Sequence, residues 1–197
     1  MKKQLLFCGV AVTIGAVLMM IRSGSVQSST QVKGPRFLSN NELAMPENYR
    51  EWIYVSSGLG MSYGPAAQAQ SDPPFDNVFV TPEAYRSFLN TGTWPDGTMF
   101  VMEVRRSKSK DSINESGHFQ GELLGIEAEV KDSARFPAKW GFYAFQPASK
   151  SGRLLPAATT DCQTCHSQHG AVDNTFVQFY PSLFEVAKKK GTVKPNY

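Results

Sequence analysis

The five residues Cys162-Gln163-Thr164-Cys165-His166 constrain the structure of this chain more than any other stretch. CxxCH is the attachment signature of a c-type haem. Each thiol can form a thioether bond with one haem vinyl group, and the histidine that follows can ligate the iron from the same side. The motif therefore predicts one covalent haem c, attached through Cys162 and Cys165, with His166 as the iron ligand.

Two other uses of a CxxC pair have to be weighed against haem attachment. A thioredoxin-like dithiol favours a βαβ setting near the start of a helix, whereas this pair lies late in the chain and is followed at once by histidine. A structural zinc site needs four ligands, and only His118 and His169 remain to complete a Cys2His2 set. Because Cys165, His166 and His169 are bunched unlike common zinc spacings, haem is favoured over both.

The N-terminus has the layout of a secretory signal. Two lysines precede an uncharged, mostly apolar run over residues 4–21, and small polar residues follow it. Residues 1–28 are therefore predicted to be a signal peptide, cleaved near Ser25 or Ser28, and the mature protein to be periplasmic. An uncleaved membrane anchor is the alternative, because the run approaches the ~20 residues that span a bilayer. Cys8 lies inside the run and would leave with a cleaved signal.

The charge balance excludes nucleic acid as a partner. The chain holds 20 basic and 17 acidic residues, a formal net charge of +3. Residues 1–28 contain Lys2, Lys3 and Arg22 and no acidic residue, so the rest of the chain is neutral overall. Nucleic-acid binding requires a net basic face. We interpret the run 188–190 as cations at a helix C-terminus, with a docking patch for a redox partner protein as the alternative.

The strand and helix patterns predict an α+β fold. Residues 29–45 are predicted to be a flexible leader, and residues 46–197 one domain with a single core. A proline opens each of two predicted helices, at Pro82 and Pro181, and Gly92 ends the first. Strands are predicted at 51–55, 75–80, 98–104, 118–130 and 140–145, the fourth bulged near Gly121 or Gly125. We therefore expect a predominantly antiparallel sheet with a few helices and a C-terminal helical segment that carries the haem.

Six stretches, in order along the chain, resemble the cytochrome P-460 and cytochrome c′-beta superfamily. They are residues 46–52 (PENYREW), 96–98 (DGT), 125–132 (GIEAEVKD), 140–143 (WGFY), the CxxCH and 176–181 (FVQFYP). The resemblance implies a mainly antiparallel β fold and a periplasmic homodimer. It also implies that His166 is the proximal ligand of a haem whose other face is open to small molecules.

The two branches of this superfamily differ in one covalent bond. Cytochromes P-460 oxidise hydroxylamine, and a lysine on the strand after the Asp-Gly-Thr turn, just before a glutamate, is bonded to the porphyrin edge. Here that position holds Met102, followed by Glu103. A thioether lacks the nucleophilic nitrogen of that bond, so we expect Met102 to contact the haem without it. Cytochromes c′-beta share the fold without the cross-link and bind nitric oxide.

The expected chemistry depends on whether the iron has an open position, which would bind exogenous ligands. Candidates for an internal sixth ligand are His118, His169, Met99 and Met102. Candidates for aromatic crowding of the distal face are Phe75, Phe79 and Phe100, and candidate acid–base groups are Asp76, Glu103 and Glu127. The first hypothesis is an open haem that binds or redox-converts nitric oxide or hydroxylamine. The alternative is a six-coordinate electron-transfer cytochrome.

Overall fold

A computed structural model describes residues 34–62, 72–156 and 161–197 of the chain. They form one seven-stranded antiparallel sheet with three α-helices, which confirms the predicted α+β class. The strands are β1 Leu43–Ala44, β2 Ile53–Leu59, β3 Phe75–Val80, β4 Met99–Lys108, β5 Phe119–Lys131, β6 Trp140–Phe145 and β7 Ser151–Leu154. The helices are α1 Pro82–Thr91, α2 Cys162–His169 and α3 Pro181–Lys190, and short 3-10 turns occur at Ser39–Asn41, Tyr49–Glu51 and Val177–Phe179.

The expected signal peptide, residues 1–28, lies outside the described residues. Within the described part of the chain, no helix is long and apolar enough to cross a membrane.

The sheet is a meander to which one early strand is added. Strands β2 to β7 pair with their neighbours in sequence, and β1 pairs with β7 at the far edge. The pairing of β5 with β4 shifts register between Gly125 and Leu123 and again before Gln120. These shifts confirm the predicted irregularity near a glycine, since a bulge places an extra residue on one strand.

The last residues of the predicted leader, residues 29–45, include a short strand. Leu43 and Ala44 form β1, where they pair with Gly152 and Ser151 of β7. Leu43 is completely buried. Two apolar residues in a polar stretch give no recognisable strand period, so the pairing that makes them a strand was not visible in the sequence.

Both caps of α1 follow from its sequence. Pro82 opens the helix, where its missing N–H costs no hydrogen bond. Gly92 closes it with φ of 76°, a left-handed conformation that glycine adopts without strain. The Gly92 N–H donates to the Phe88 carbonyl at 2.7 Å.

The sheet has two differently covered faces, because successive side chains of a strand point to opposite sides. On the first, here called the helix face, Val80, Phe100 and Trp140 pack with Phe88 of α1 and Leu183 of α3. On the second, the opposite face, a separate core contains the strand residues Val101, Val130 and Tyr143 and the early residues Leu43 and Trp52. Both faces are apolar, and the three described α-helices pack on the helix face.

Candidate functional site

A cavity of about 480 Å³ lies on the helix face, between the sheet and α2. This volume falls within the range of about 300–1,000 Å³ typical of ligand pockets. Strands β2 to β6 contribute one wall: Ser56, Gly58, Asp76, Val78, Phe100, Met102, Glu127, Glu129 and Phe142. The other wall includes Cys162, Cys165, His166, Phe176 and Phe179.

The CxxCH motif reaches the cavity because it is helical. Residues three and four apart lie on the same face of a helix, so Cys162, Cys165 and His166 share one face of α2. All three line the cavity, and both thiols are free and half-buried. The structure therefore brings the two predicted attachment cysteines and the predicted iron ligand together.

The His166 imidazole is held through Nδ1. This atom lies 3.0 Å from the Asn174 carbonyl oxygen and 3.2 Å from Oε2 of Glu129. The ring is flanked by Phe142 and Phe176, with centroid separations of 4.6 and 4.4 Å. Because an Nδ1–H donor fixes the tautomer, Nε2 keeps the lone pair that a metal ligand needs.

Burial alone would lower the pKa of His166. The Glu129 carboxylate, the Asn174 carbonyl and the more distant Glu127 outweigh burial, so the pKa is raised. The environment of Nδ1 is thus electronegative.

A tight turn aims the Asn174 carbonyl at the imidazole. Val172 and Thr175 form a bridge, and the two residues between them, Asp173 and Asn174, have φ of 49° and 60°. Aspartate and asparagine tolerate this left-handed region better than most residues. Trp94 Nε1 donates to Thr175 Oγ1 at 2.9 Å, anchoring the turn to the core.

An ion pair fixes the same turn from β5. Lys131 of that strand pairs with Asp173 and also donates to the Trp94 carbonyl at 2.6 Å. The turn that orients His166 is therefore attached to the sheet independently of α2.

Gly170 packs closely under this turn, and replacing it is expected to disturb the site. A β-carbon there would lie 2.6 Å from both the His166 carbonyl oxygen and the Asn174 carbonyl carbon. Neither backbone atom can move freely, so we expect Gly170→Ala to lower the free energy of unfolding by about 2 kcal/mol, a typical cost of overpacking. Urea unfolding at constant pH measures this.

The matched control for Gly170→Ala is Gly125→Ala, since a β-carbon at Gly125 would meet no atom within 4 Å. Gly125→Ala should unfold close to the wild type. Equal unfolding midpoints for the two variants would contradict the steric argument.

Two carboxylates line the cavity, and no side chain of the described residues donates a hydrogen bond to either of them. Asp76 of β3 and Glu127 of β5 lie on either side of β4 and both line the cavity. Burial, and then the Glu127 charge, raises the pKa of Asp76 to about 6. Burial likewise raises the pKa of Glu127, which the nearby His166 partly opposes. Asp76 therefore titrates close to neutral pH, where a proton-transfer group works best.

The predicted carboxylate Glu103 does not belong to this site. It lies on the opposite face, buried, where it binds Tyr49 and Arg50 and accepts from Arg105 Nε at 2.8 Å. Burial alone would raise the pKa of Glu103, but these partners lower it. Its role as a distal acid or base is therefore wrong: strand alternation points it away from the cavity.

Strand alternation also separates the three predicted phenylalanines. Phe100 lines the cavity. Phe79 packs on the opposite face against Tyr49 and Tyr54, at centroid distances of 5.8 and 5.7 Å. Phe75 lies an even number of residues from Phe79 on β3 and so shares its face. A distal role for Phe75 and Phe79 is wrong for this reason.

Of the four predicted sixth-ligand candidates, Met102 lines the cavity and the other three do not. Met99 is buried in the core of the opposite face. His118 is exposed where β5 begins, and His169 is exposed at the end of α2.

Sequence reasoning missed Glu129 and Asn174. Glu129 shares a strand face with Glu127, a period-two signal that was available. Asn174 acts through its backbone carbonyl, which no side-chain pattern reveals. The Asp-Asn pair at 173–174 is a turn signal that could have indicated the tight turn.

The residues of the cavity fit a haem better than the two other uses of a CxxC pair. Burial, then Asp161 and Cys162, raises the pKa of the Cys165 thiol, whereas redox dithiols need a lowered one. Among the described residues, no group of three or more His, Cys, Asp or Glu side chains could hold a metal ion by themselves. A largely apolar wall, two free thiols and an imidazole oriented through Nδ1 are what a c-type haem requires.

Comparison with known proteins identifies a family. The model of the cytochrome P460 family matches residues 46–177, well over half of the chain and including the CxxCH motif. A search of curated proteins finds no match.

Proposed function

The chain belongs to the cytochrome P460 family, and from that premise we propose that it is a periplasmic c-type monohaem cytochrome that binds or redox-converts small nitrogen species such as nitric oxide or hydroxylamine. Haem and iron binding follow from the family itself. The covalent attachment, the single haem, the open iron position and the periplasmic location are our proposal.

The residues that would hold the haem are those of the α2 wall. Cys162 and Cys165 would attach it, and His166 would ligate the iron through Nε2. When bound, the haem supplies an iron that changes oxidation state and accepts a small ligand, which no side chain here can do. Phe100 and Met102 would pack against it and limit the access of water.

The observation that carries the proposal is the pair Asp76 and Glu127 in the cavity. Oxidation of hydroxylamine releases protons as well as electrons, and a nearby carboxylate can accept those protons. The electrons would pass to a redox partner protein. Electron transfer alone requires no proton acceptor beside the haem, so two cavity carboxylates that no described side chain pairs with favour a reactive ligand.

Optical titration of the purified protein tests this proposal. We expect a high-spin, five-coordinate ferrous spectrum that changes when nitric oxide is added, and a ferric spectrum that changes with hydroxylamine. An unchanged spectrum with both ligands in both oxidation states would rule the proposal out.

Electron transfer through a six-coordinate iron is the second candidate, and the position of Met102 in the cavity is what favours it. It expects a sharp low-spin ferrous spectrum that becomes high-spin in Met102→Leu. A spectrum that Met102→Leu leaves unchanged would count against it.

A homodimer remains a prediction from the family resemblance, and a redox partner protein remains a prediction from the sequence. Analytical sedimentation of the holoprotein would measure whether it is a dimer.

A further inference from the structure

Glu129 contacts the imidazole of His166 from the sheet. Its Oε2 lies 3.2 Å from His166 Nδ1. Glu129 is 9% exposed, and among the described residues Oε2 has no hydrogen-bond partner of good geometry. Burying a carboxylate is costly unless a polar group compensates it. The polar group beside this oxygen is the His166 imidazole, at ion-pair distance.

Two oxygen atoms lie beside Nδ1, at 3.0 and 3.2 Å. The Asn174 carbonyl, at 3.0 Å, comes from a turn anchored to the sheet and suffices to orient the ring. The Glu129 carboxylate adds what a neutral carbonyl cannot, a negative charge beside the ring. At 3.2 Å from Nδ1, that charge acts strongly on the ring because both groups are largely buried.

The two charged neighbours of Glu129 on β5 do not cancel its negative charge. Lys131, two residues along β5, is paired with Asp173 and so contributes little net charge. Glu127, two residues the other way, lines the same cavity and is itself a carboxylate. Neither charged neighbour along β5 therefore neutralises Glu129.

We propose that Glu129 is a positioning residue that makes His166 a stronger electron donor to the haem iron and lowers the iron's reduction potential. The inference rests on the proposed function only in taking His166 as the iron ligand. Partners of a ligating histidine raise its basicity, and hydrogen bonding around the axial ligand is one of the means by which proteins tune haem potentials. The iron(III) form gains one electron to become iron(II), so a nearby negative charge favours iron(III).

Redox titration of the holoprotein with mediators tests the proposal. At a fixed solution potential, we expect Glu129→Gln to raise the ratio of iron(II) to iron(III) at least about tenfold, which is about 59 mV for one electron. The variant keeps the shape of the side chain and loses its charge. We also expect a lower iron–histidine stretching frequency in the resonance Raman spectrum of the ferrous protein.

Glu127→Gln is the matched control, since it removes a carboxylate from the same strand face without touching Nδ1. It should shift the potential less and leave the stretching frequency unchanged. Glu129→Asp keeps the negative charge but moves it away from His166 Nδ1, so it should lower the stretching frequency with a smaller change in potential. This variant provides the test if Glu129→Gln does not fold.

Equal shifts for Glu129→Gln and Glu127→Gln, or an unchanged potential, would overturn the proposal. A six-coordinate spectrum of the wild type would instead defeat the proposed ligand binding and leave the comparison of potentials valid. The two failures are thus distinguishable.

Discussion

Replacing both Cys162 and Cys165 with serine is expected to abolish covalent haem attachment. Thioether formation needs a thiolate nucleophile, and the serine hydroxyl of Cys162→Ser or Cys165→Ser cannot take its place. The wild type, co-expressed with haem-maturation machinery, should retain haem on a denaturing gel, whereas the double variant should lose it completely. Each single variant can keep one thioether bond and should retain the stain. Haem staining and intact mass measure this.

Cys8→Ser is the matched control, because Cys8 lies in the predicted signal peptide and should leave the haem content unchanged. Haem that stays on the double variant after denaturation would contradict the prediction. It would show that another side chain is bonded to the porphyrin, and Met102, at the family's cross-linking position, would be the first to examine.

Asp76→Asn is expected to slow the proposed oxidation of hydroxylamine about 100-fold, the low end of what a general base contributes. Asp76 accepts a proton only when ionised, and its pKa is raised to about 6. The wild-type rate should therefore rise as the pH increases through 6, as the carboxylate loses its proton. The titratable groups that share the cavity with Asp76 include Glu127 and Glu129 on the strand wall and Asp161, Cys162, Cys165 and His166 opposite them. Stopped-flow haem reduction between pH 4 and 8 measures the profile.

Hydroxylamine itself takes up a proton in this pH range, and this affects the rate of every variant equally. Two further variants therefore distinguish the titration of Asp76 from that of the substrate. Glu127→Gln removes the charge that helps to raise the Asp76 pKa, so its profile should rise at lower pH. Asp111→Asn, an exposed carboxylate on the β4–β5 connection, should behave as the wild type. A rate in Asp76→Asn equal to that of the wild type would exclude Asp76 as the base.

The local elements were predictable because local chemistry determines them. The strands at 75–80 and 140–145 match residue for residue, and Pro82 and Gly92 bound α1 as expected. The irregularity of β5 was also visible, since a glycine weakens a strand. The pairing of β1 with β7 was not, because its partner lies about 110 residues away in the chain and neither strand has a long periodic signal.

The choice among candidate site residues shows where sequence reasoning ends. Alternation shows that Met102 and Glu103 point to opposite sides of β4, but both sides are apolar enough for the helices to pack on. Only the packing of the helices decides that Met102 faces the cavity and Glu103 does not. The same packing selects Phe100 over Phe75 and Phe79.

The sequence by itself determined the family, the α+β class and the three residues on one face of α2 that can hold a haem, because motif spacing and helical period are local properties. The tertiary structure decided which carboxylates lie around these three residues. Asp76 and Glu127 come from strands separated by β4. Glu129, Asn174 and His166 come together from β5, the 172–175 turn and α2. Contacts of that kind depend on how the sheet pairs and which face the helices cover, and no periodicity within one strand encodes either.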